Sequence, residues 1–526
     1  MGAGIAAVVY IWIALGIAFV ITPTSIPFAV RARAFGFWAA SAPLVLILNN
    51  PLATLFIVAA LLLVVAPIKA RDRAAFYLIA VPAVPVFISA PLPFPGINYL
   101  LDVTHIKLAA IVLLIPILLS RSEPDSSRIL NGTTVVLLCY IVYSTFLIVF
   151  PGTPVLATNV PQILAVSLPS SPNITGGLRF LIDQLLCVAL PYAVIVYTVR
   201  KTDDIDTFLK AFLIASIILA IVALISRAKA WDIYGDFNIF IREIRDGGIR
   251  INATAGTHSL AFHLAAAFMG LEYLRQRISI GWVAVNSLRV TFVAAMLTTN
   301  SRGALGGLVV AWCVYKFLML RSTSLRLVMS LLLTIVVTGG IIWLAQGDVG
   351  SYDEHGTFSY RQELVWTSVE YITKFPVFGD RFFLQSGAFD HLLQGQGIID
   401  ITNLYLQIAL TFGLLGLAMF ALVFVLPPAH MGLIVPAVRR AAMSKPHPKK
   451  SASDAETWSR ATAVIVAIVA GWLFLVATTS DVGLTLHLGV VFAALCNALR
   501  RLRPLDVAET KYEHSTGNSL PTAFPA

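Results

Sequence analysis

The sequence predicts an all-α, polytopic integral membrane protein of about 14 transmembrane helices with a large outer loop region, and three observations predict it. Of 526 residues, 58% belong to the apolar set AVILMFWYC and 12% are charged, where a soluble domain carries about 25% charged residues. The mean hydropathy is +0.85, and apolar windows approaching the roughly 20 residues that a bilayer span requires recur along the chain. Lysine and arginine gather in short clusters in every second gap between those windows, as in a chain threaded back and forth with its cations on the cytoplasmic side.

The apolar windows place helices near 4–28, 36–49, 51–68, 74–90, 106–120, 134–150, 178–198, 207–226, 258–274, 281–298, 303–320, 326–345, 401–427, 460–478 and 482–499. The first has no basic segment before it and no small-residue cleavage site, so it is expected to be a retained helix and not a signal peptide. Arg31/Arg33, Lys69/Arg71/Arg73, Arg121/Arg128, Arg200/Lys201, Arg275/Arg277, Arg321/Arg326, the run Arg439 to Lys450 and Arg500/Arg501/Arg503 then fix one alternating topology. The remaining gaps, 91–105, 151–177, 227–257, 299–302, 346–400 and 479–481, fall on the outer face. Four segments result: 1–345, transmembrane helices including the outer loop 227–257; 346–400, a large outer loop; 401–503, the C-terminal transmembrane helices; and 504–526, a disordered cytoplasmic tail. The two long outer loops are rich in Trp, Tyr, Phe and Gly, which argues for order and makes them the expected seat of the chemistry.

An excess of 37 Lys+Arg over 27 Asp+Glu would suggest a nucleic-acid surface in a soluble protein, but here the cations are spent on topology. Cys139, Cys187, Cys313 and Cys496 lie inside apolar windows without metal or disulfide spacing and read as packing residues. No nucleotide-binding GxxxxGK[ST], HExxH or GxSxG motif is present. Asp204-Ile-Asp206 has the form of a metal–nucleotide-sugar ligand, but it precedes an apolar helix on the cytoplasmic side, where carboxylates serve as caps and dipole partners. Asn173-Ile-Thr and Asn252-Ala-Thr match glycosylation acceptors, triplets common by chance.

The outer face places arginines where they are costly. Arg302, in Thr299-Asn-Ser-Arg-Gly-Ala-Leu-Gly-Gly, opens a helix whose first turn is small residues, so its guanidinium sits beside backbone N–H groups, a setting that suits a phosphate. Arg361, in Ser359-Tyr-Arg-Gln-Glu, and Arg250, in Gly248-Ile-Arg-Ile-Asn-Ala-Thr-Ala-Gly-Thr-His258, lie in the two long loops, and three such cations can clamp a diphosphate through bidentate contacts. Each is equally readable as an interfacial anchor or an ion-pair partner, Arg361 with Glu363 or Glu354 for example. Arg179 and Asp183 have the i,i+4 spacing of a self-neutralising pair, and Asp481 and His487 flank the last outer turn.

Four pieces in order carry a resemblance: Arg250 with Ala253-Thr-Ala-Gly-Thr-His-Ser-Leu-Ala; Thr299-Asn-Ser-Arg-Gly-Ala-Leu; Arg361, Trp366 and Phe375-Pro-Val-Phe-Gly-Asp-Arg-Phe; and Asp400-Ile-Thr-Asn-Leu-Tyr-Leu-Gln with Gly413-Leu-Leu-Gly-Leu. Together they resemble the O-antigen ligase/polymerase superfamily of bacterial surface-polysaccharide assembly, over roughly residues 245 to 425, while the first 240 residues match in hydropathy alone. The resemblance implies a multi-pass protein of the bacterial inner membrane acting at its periplasmic face. Its partners would be an undecaprenyl-diphosphate-linked glycan donor, a glycan acceptor, membrane lipid and other polysaccharide-assembly proteins, with no nucleic acid, cofactor or metal. The donor's sugar–diphosphate bond would supply the energy. The resemblance assigns catalysis to Arg302 and Arg361, which would stabilise the departing diphosphate. Arg250 is a third contact, and His258, Asn403, Tyr405 and Arg179 complete the expected substrate-binding set.

The chain departs from the superfamily at one place. Ligases carry a His just before the Asn that opens the helix after the large loop, and here that position is Thr402, which cannot act as a base. Asp400, three residues before Asn403, is the expected replacement, while the competing reading is that it caps the helix. His355 and His391 in the same loop, and His258, are rival bases. The missing His and the extra length favour a polymerase joining repeat units of an O-antigen or exopolysaccharide over a ligase to lipid A core. A lipid-linked glycan flippase or secondary transporter is the rival from another class, and it predicts inverted repeats and midplane polar residues that the two halves do not display. An anchored structural subunit is a third reading, which the cost of the outer arginines disfavours.

Overall fold

The structure is a computed structural model describing residues 2–48, 50–86, 88–94, 97–120, 131–150, 173–229, 231, 233–234, 244–245, 248–278, 280–320, 322, 324–328, 357–394, 399–444, 449–479 and 484–502. Its helices are α1 (Gly2–Ile21), α2 (Phe28–Leu48), α3 (Pro51–Val65), α4 (Ala70–Ala80), α5 (His105–Leu119), α6 (Gly132–Val149), α7 (Ile174–Thr198) and α8 (Thr202–Ala228). They continue with α9 (Thr257–Arg277), α10 (Trp282–Leu297), α11 (Arg302–Met319), α12 (Thr357–Lys374), α13 (Leu404–Phe424), α14 (Leu426–Ser444), α15 (Lys449–Thr478) and α16 (Thr485–Arg501). The chain is an all-α, multi-pass membrane protein. Among the described residues eight helical segments are long and apolar enough to cross a bilayer: α1, α2, α6, α7, α8, α11, the stretch Leu404–Arg440 formed by α13 and α14, and α15.

Three further expected windows form shorter apolar helices, α3, α5 and α10, and other windows depart from expectation for identifiable reasons. Prolines shorten two windows: Pro23 and Pro27 end α1 at Ile21 instead of 28 and let α2 begin at Phe28 instead of 36, and Pro82 and Pro85 stop the window 74–90 soon after α4. The chain then makes an antiparallel hairpin, β1 (Ser89–Phe94) with β2 (Ile97–Thr104), where the sequence predicts only an outer gap. The windows 258–274 and 482–499 form α9, which carries Glu272, Arg275 and Arg277, and α16, which has 17 residues. The window 326–345 lies outside the described residues except for its first three positions, and the tail 504–526 lies outside them altogether. The basic run from Arg439 is no loop at its start, since α14 remains helical to Ser444 and α15 begins at Lys449.

Helix α8 is apolar all round and is accordingly enclosed, packing against α1, α4, α9 and α10. Its start is pinned by Asp204, which caps it, and by Asp206, which ties it to α9. Asp204 accepts the backbone N–H groups of Arg200 (2.8 Å) and Lys201 (2.9 Å) and the Arg71 guanidinium (3.0 Å). Asp206 takes the Tyr273 hydroxyl (2.6 Å) and Arg277 (3.0 Å). Buried tryptophans tie helices to carbonyls on neighbouring segments: Trp38 to Ile79 (3.0 Å), Trp458 to Leu499 (2.9 Å) and Trp472 to Thr485 (2.8 Å). All four cysteines are free, and Cys139 and Cys313 are exposed, so a packing role fits only Cys187 and Cys496.

Helices α11 and α15 make an extensive and close contact. Lipid supplies no hydrophobic drive between spans, so small residues that allow backbones to touch take its place. A Cβ on Gly307 would stand 2.7 Å from the Gly471 carbonyl oxygen, one on Gly471 2.6 Å from that of Gly307, and one on Gly306 2.5 Å from the Phe474 ring. The substitution Gly307→Leu is therefore expected to cost about 1–3 kcal/mol and lower the thermal midpoint of the detergent-solubilised protein. Gly16→Leu on α1, where nothing lies within 4 Å, leaves that midpoint unchanged. Equal midpoints for the two variants would contradict the packing.

Candidate functional site at the outer ends of α11 and α15

The α11–α15 contact determines what stands at its outer end. Gly303 in the first turn of α11 abuts Thr478, the last residue of α15, and a Cβ there would also approach Leu475 to 3.3 Å. Arg302, exposed as the first residue of α11, is thereby set beside the C-terminal end of α15. The turn that delivers it is built by hydroxyls: Thr298 and Thr299 each donate to the carbonyl three residues earlier (2.7 Å), and Asn300 takes a left-handed φ of 51° to reverse the chain.

Two further expected residues meet this turn. Arg250, buried after the β3 (Ile244–Arg245) and β4 (Gly248–Ile249) hairpin, donates through Nε to the Thr299 carbonyl (3.1 Å), and the Ile251 N–H donates to Thr298 (3.2 Å). His258, in the first turn of α9, hydrogen-bonds through Nδ1 to the Ser301 hydroxyl (2.9 Å). Ser259 beside it receives the Leu484 N–H (2.8 Å) and pairs with Thr485 (3.0 Å), which joins α9 to the start of α16.

The region expected as a loop at 346–400 contains an 18-residue helix, α12, whose Tyr360, Leu364, Ser368 and Tyr371 form one inward stripe. With Phe383, Phe389, Leu392, Ile401 and Leu410 they make a small core separate from that of the transmembrane helices. The opposite face carries exposed Val365, Trp366 and Val369, suited to a membrane interface. Arg361, on α12, reaches the Thr478 carbonyl through Nη2 (3.4 Å), so Arg302 and Arg361 converge on the same helix end from two directions. Tyr360 beside it accepts the Asp400 N–H and donates to the Asp400 carbonyl, both at 2.9 Å. Burial pushes the Tyr360 phenol above its usual range, so it persists as the donor this bridge needs.

Two glycine motifs lock this small core onto α13. Gly379 and Gly413 both have positive φ, 69° and 68°, and a Cβ on Gly379 would lie 2.5 Å from the Gly413 nitrogen. Their bareness lets the segment 375–382 hydrogen-bond backbone to backbone with a break in α13: Asp380 N–H to Leu410 (2.7 Å) and Leu414 N–H to Pro376 (2.8 Å). Tyr143 of α6 donates to the Phe412 carbonyl (2.9 Å), and Arg381 to that of Ile148 (3.0 Å).

Arg250, His258, Arg302 and Arg361 thus meet at one place, with Asp400 tied to it through Tyr360. The competing reading of Asp400 as a helix cap does not hold: Asn403 caps α13, accepting the N–H groups of Tyr405 (2.9 Å) and Leu406 (3.2 Å). Tyr405 directs its hydroxyl to the Leu473 carbonyl of α15 (2.8 Å), which makes it a strut between helices. Asp183 forms its ion pair with Lys107 of α5 (2.5 Å) and not, as the i,i+4 spacing suggested, with Arg179, which α7 carries past α6 and β2. His391 faces Glu363 (3.5 Å) and Thr367 (3.2 Å), and His487 turns inward to the Cys187 carbonyl (3.0 Å). Asn173 caps α7 through Oδ1, and Asn252 is buried, which closes it as an acceptor. His355, Glu354 and Asp481 lie outside the described residues. Sequence reasoning missed Tyr360 and Ser301, although each adjoins an arginine that it singled out.

A cavity of about 350 Å³ opens between α6, α7 and α13, walled by Tyr140, Phe180, Leu404, Phe412 and Phe420. It adjoins the first turn of α13, which follows Asp400. Several guanidinium groups at a helix start, a carboxylate nearby and an apolar slot can hold an amphiphile with a polyanionic head.

Residues 288–421 match the model of a family described as O-antigen ligase. No curated protein matches the chain. The matched segment contains α11, α12, both glycines of the lock and Asp400. The lock makes a prediction: Gly413→Ala forces a methyl group into the Val377 carbonyl at positive φ. That is expected to cost about 1–3 kcal/mol and to open 375–382 to limited proteolysis, whereas cleavage at the wild-type rate would contradict it.

Proposed function

From a chain whose residues 288–421 match a family described as O-antigen ligase, we propose a membrane glycosyltransferase that polymerises undecaprenyl-diphosphate-linked oligosaccharide repeat units at the periplasmic face of the inner membrane. The observation that carries the reading is the convergence of Arg302 and Arg361 on the end of α15, with Arg250 and His258 behind the adjoining turn. The donor's diphosphate sits between the two arginines, and its prenyl chain leaves through the slot walled by Phe180 and Phe412. The hydroxyl of the acceptor glycan attacks the anomeric carbon of the donor sugar. The new glycosidic bond forms as the sugar–diphosphate bond breaks, the electron pair leaves with the lipid diphosphate, and the hydroxyl proton passes to the Asp400 carboxylate.

Because charge grows on the leaving diphosphate, fixed guanidinium groups bind the transition state more strongly than the ground state. Arginine provides that charge, which supports a reaction independent of added divalent metal. Thr402 in the position of the ligase histidine favours the polymerase over the ligase, with Asp400 as the base.

The test is the purified protein with radiolabelled undecaprenyl-diphosphate oligosaccharide, without nucleotide and with EDTA. Wild type is expected to yield longer lipid-linked chains. Arg302→Ala and Arg361→Ala should lower the rate roughly 10²–10³-fold, and Asp400→Asn roughly 10²–10⁴-fold. Transfer to lipid A core in place of elongation would make the protein a ligase. Passage of the labelled lipid across a vesicle bilayer without either transfer would overturn the glycosyltransferase reading.

A further inference from the structure

A second cavity, of about 250 Å³, lies between α2, α4 and α8 at the other end of the molecule. Helix α9 sets the separation: His258 in its first turn meets Ser301, whereas Arg277 at its far end binds Asp206, the neighbour of the cavity residue Thr207. Its charged walls are Arg33, Arg71, Lys210 and Asp72. Arg71 is committed to Asp72 (3.1 Å) and Asp204 (3.0 Å), a trio that keeps one negative charge against the two cations Lys210 and Arg33, so the site stays net positive. Lys210 and Arg33 have no hydrogen-bond or ion-pair partner among the described residues. Lys210 is half-buried, about 12 Å beyond the start of an enclosed apolar helix, where an uncompensated ammonium group is costly. The rest of the wall is apolar: Phe76 and Ile79 are buried at its back, and Val30 is exposed at its mouth.

Two cations bonded to no carboxylate, an apolar wall and the exposed Val30 and Arg33 of the apolar helix α2 call for one kind of occupant. We infer that this cavity seats the phosphate headgroup of an anionic phospholipid, with Lys210 and Arg33 as its counter-charges and its acyl chains lying along Val30. A soluble phosphate would satisfy the charges but leave the apolar wall unused.

The full-length protein in neutral detergent can be titrated with dioleoyl phosphatidylglycerol, dioleoyl phosphatidylcholine or inorganic phosphate and the bound lipid counted by native mass spectrometry. Phosphatidylglycerol is expected to be retained in preference to phosphatidylcholine. Lys210→Met and Arg33→Gln should each weaken its retention about fivefold, the worth of one basic residue at a lipid headgroup. Arg33 is exposed, so its variant reads the site even if Lys210→Met folds poorly. Lys374→Gln on α12 removes the same charge elsewhere and should change nothing. Equal retention of the two lipids, variants indistinguishable from wild type, an equal loss in Lys374→Gln, or displacement of phosphatidylglycerol by inorganic phosphate would each overturn the inference.

Discussion

The contact of Gly307 with Gly471 is the constraint on which the outer site depends. Two spans can approach this closely only where neither carries a Cβ, and van der Waals attraction between backbones then replaces the hydrophobic drive that lipid withholds. That approach puts the first residue of α11 next to the last residue of α15. Gly303, next to Arg302, touches Thr478 because Gly303, Gly306 and Gly307 allow it, and Arg361 reaches the Thr478 carbonyl from α12. A larger residue anywhere on this stripe would move the arginines apart without touching either.

The second constraint is the lock between Gly379 and Gly413. An 18-residue helix with an apolar stripe and a small core of its own would otherwise be tethered to the membrane part only by its chain ends. Backbone hydrogen bonds at the break in α13 fix it, and Tyr143 draws α6 to the same point. Arg361 and Tyr360 therefore stand on a braced helix, and Asp400, held by Tyr360, is positioned by the same brace. Preorganised charge of this kind is what the proposed transfer from a lipid diphosphate requires.

Much of this architecture is legible in the sequence. Apolar windows and alternating basic clusters identify a multi-pass membrane protein, and the arginines stand out because they interrupt or border such windows. The errors have physical sources. Pro23, Pro27, Pro82 and Pro85 decide the helix ends through chain-breaking chemistry that window hydropathy does not register. Helix α12 reads as loop because its mixed charge masks the stripe Tyr360, Leu364, Ser368, Tyr371, whose spacing is helical. Asp400 and Asn403 compete for one cap in the sequence, and only geometry shows Asn403 taking it. The pairings of Gly307 with Gly471, Asp183 with Lys107 and Arg361 with Thr478 join distant parts of the chain and leave no local signature.

In the proposed mechanism Arg302 and Arg361 form one diphosphate site at the end of α15. A cryo-electron microscopy structure of the protein in a lipid nanodisc with undecaprenyl diphosphate tests it most directly. Diphosphate density between the two guanidinium groups, with the prenyl chain running past Phe180 and Phe412, is the result predicted. Density for the diphosphate away from both arginines, with Thr478 still joined to Arg361, would contradict the account.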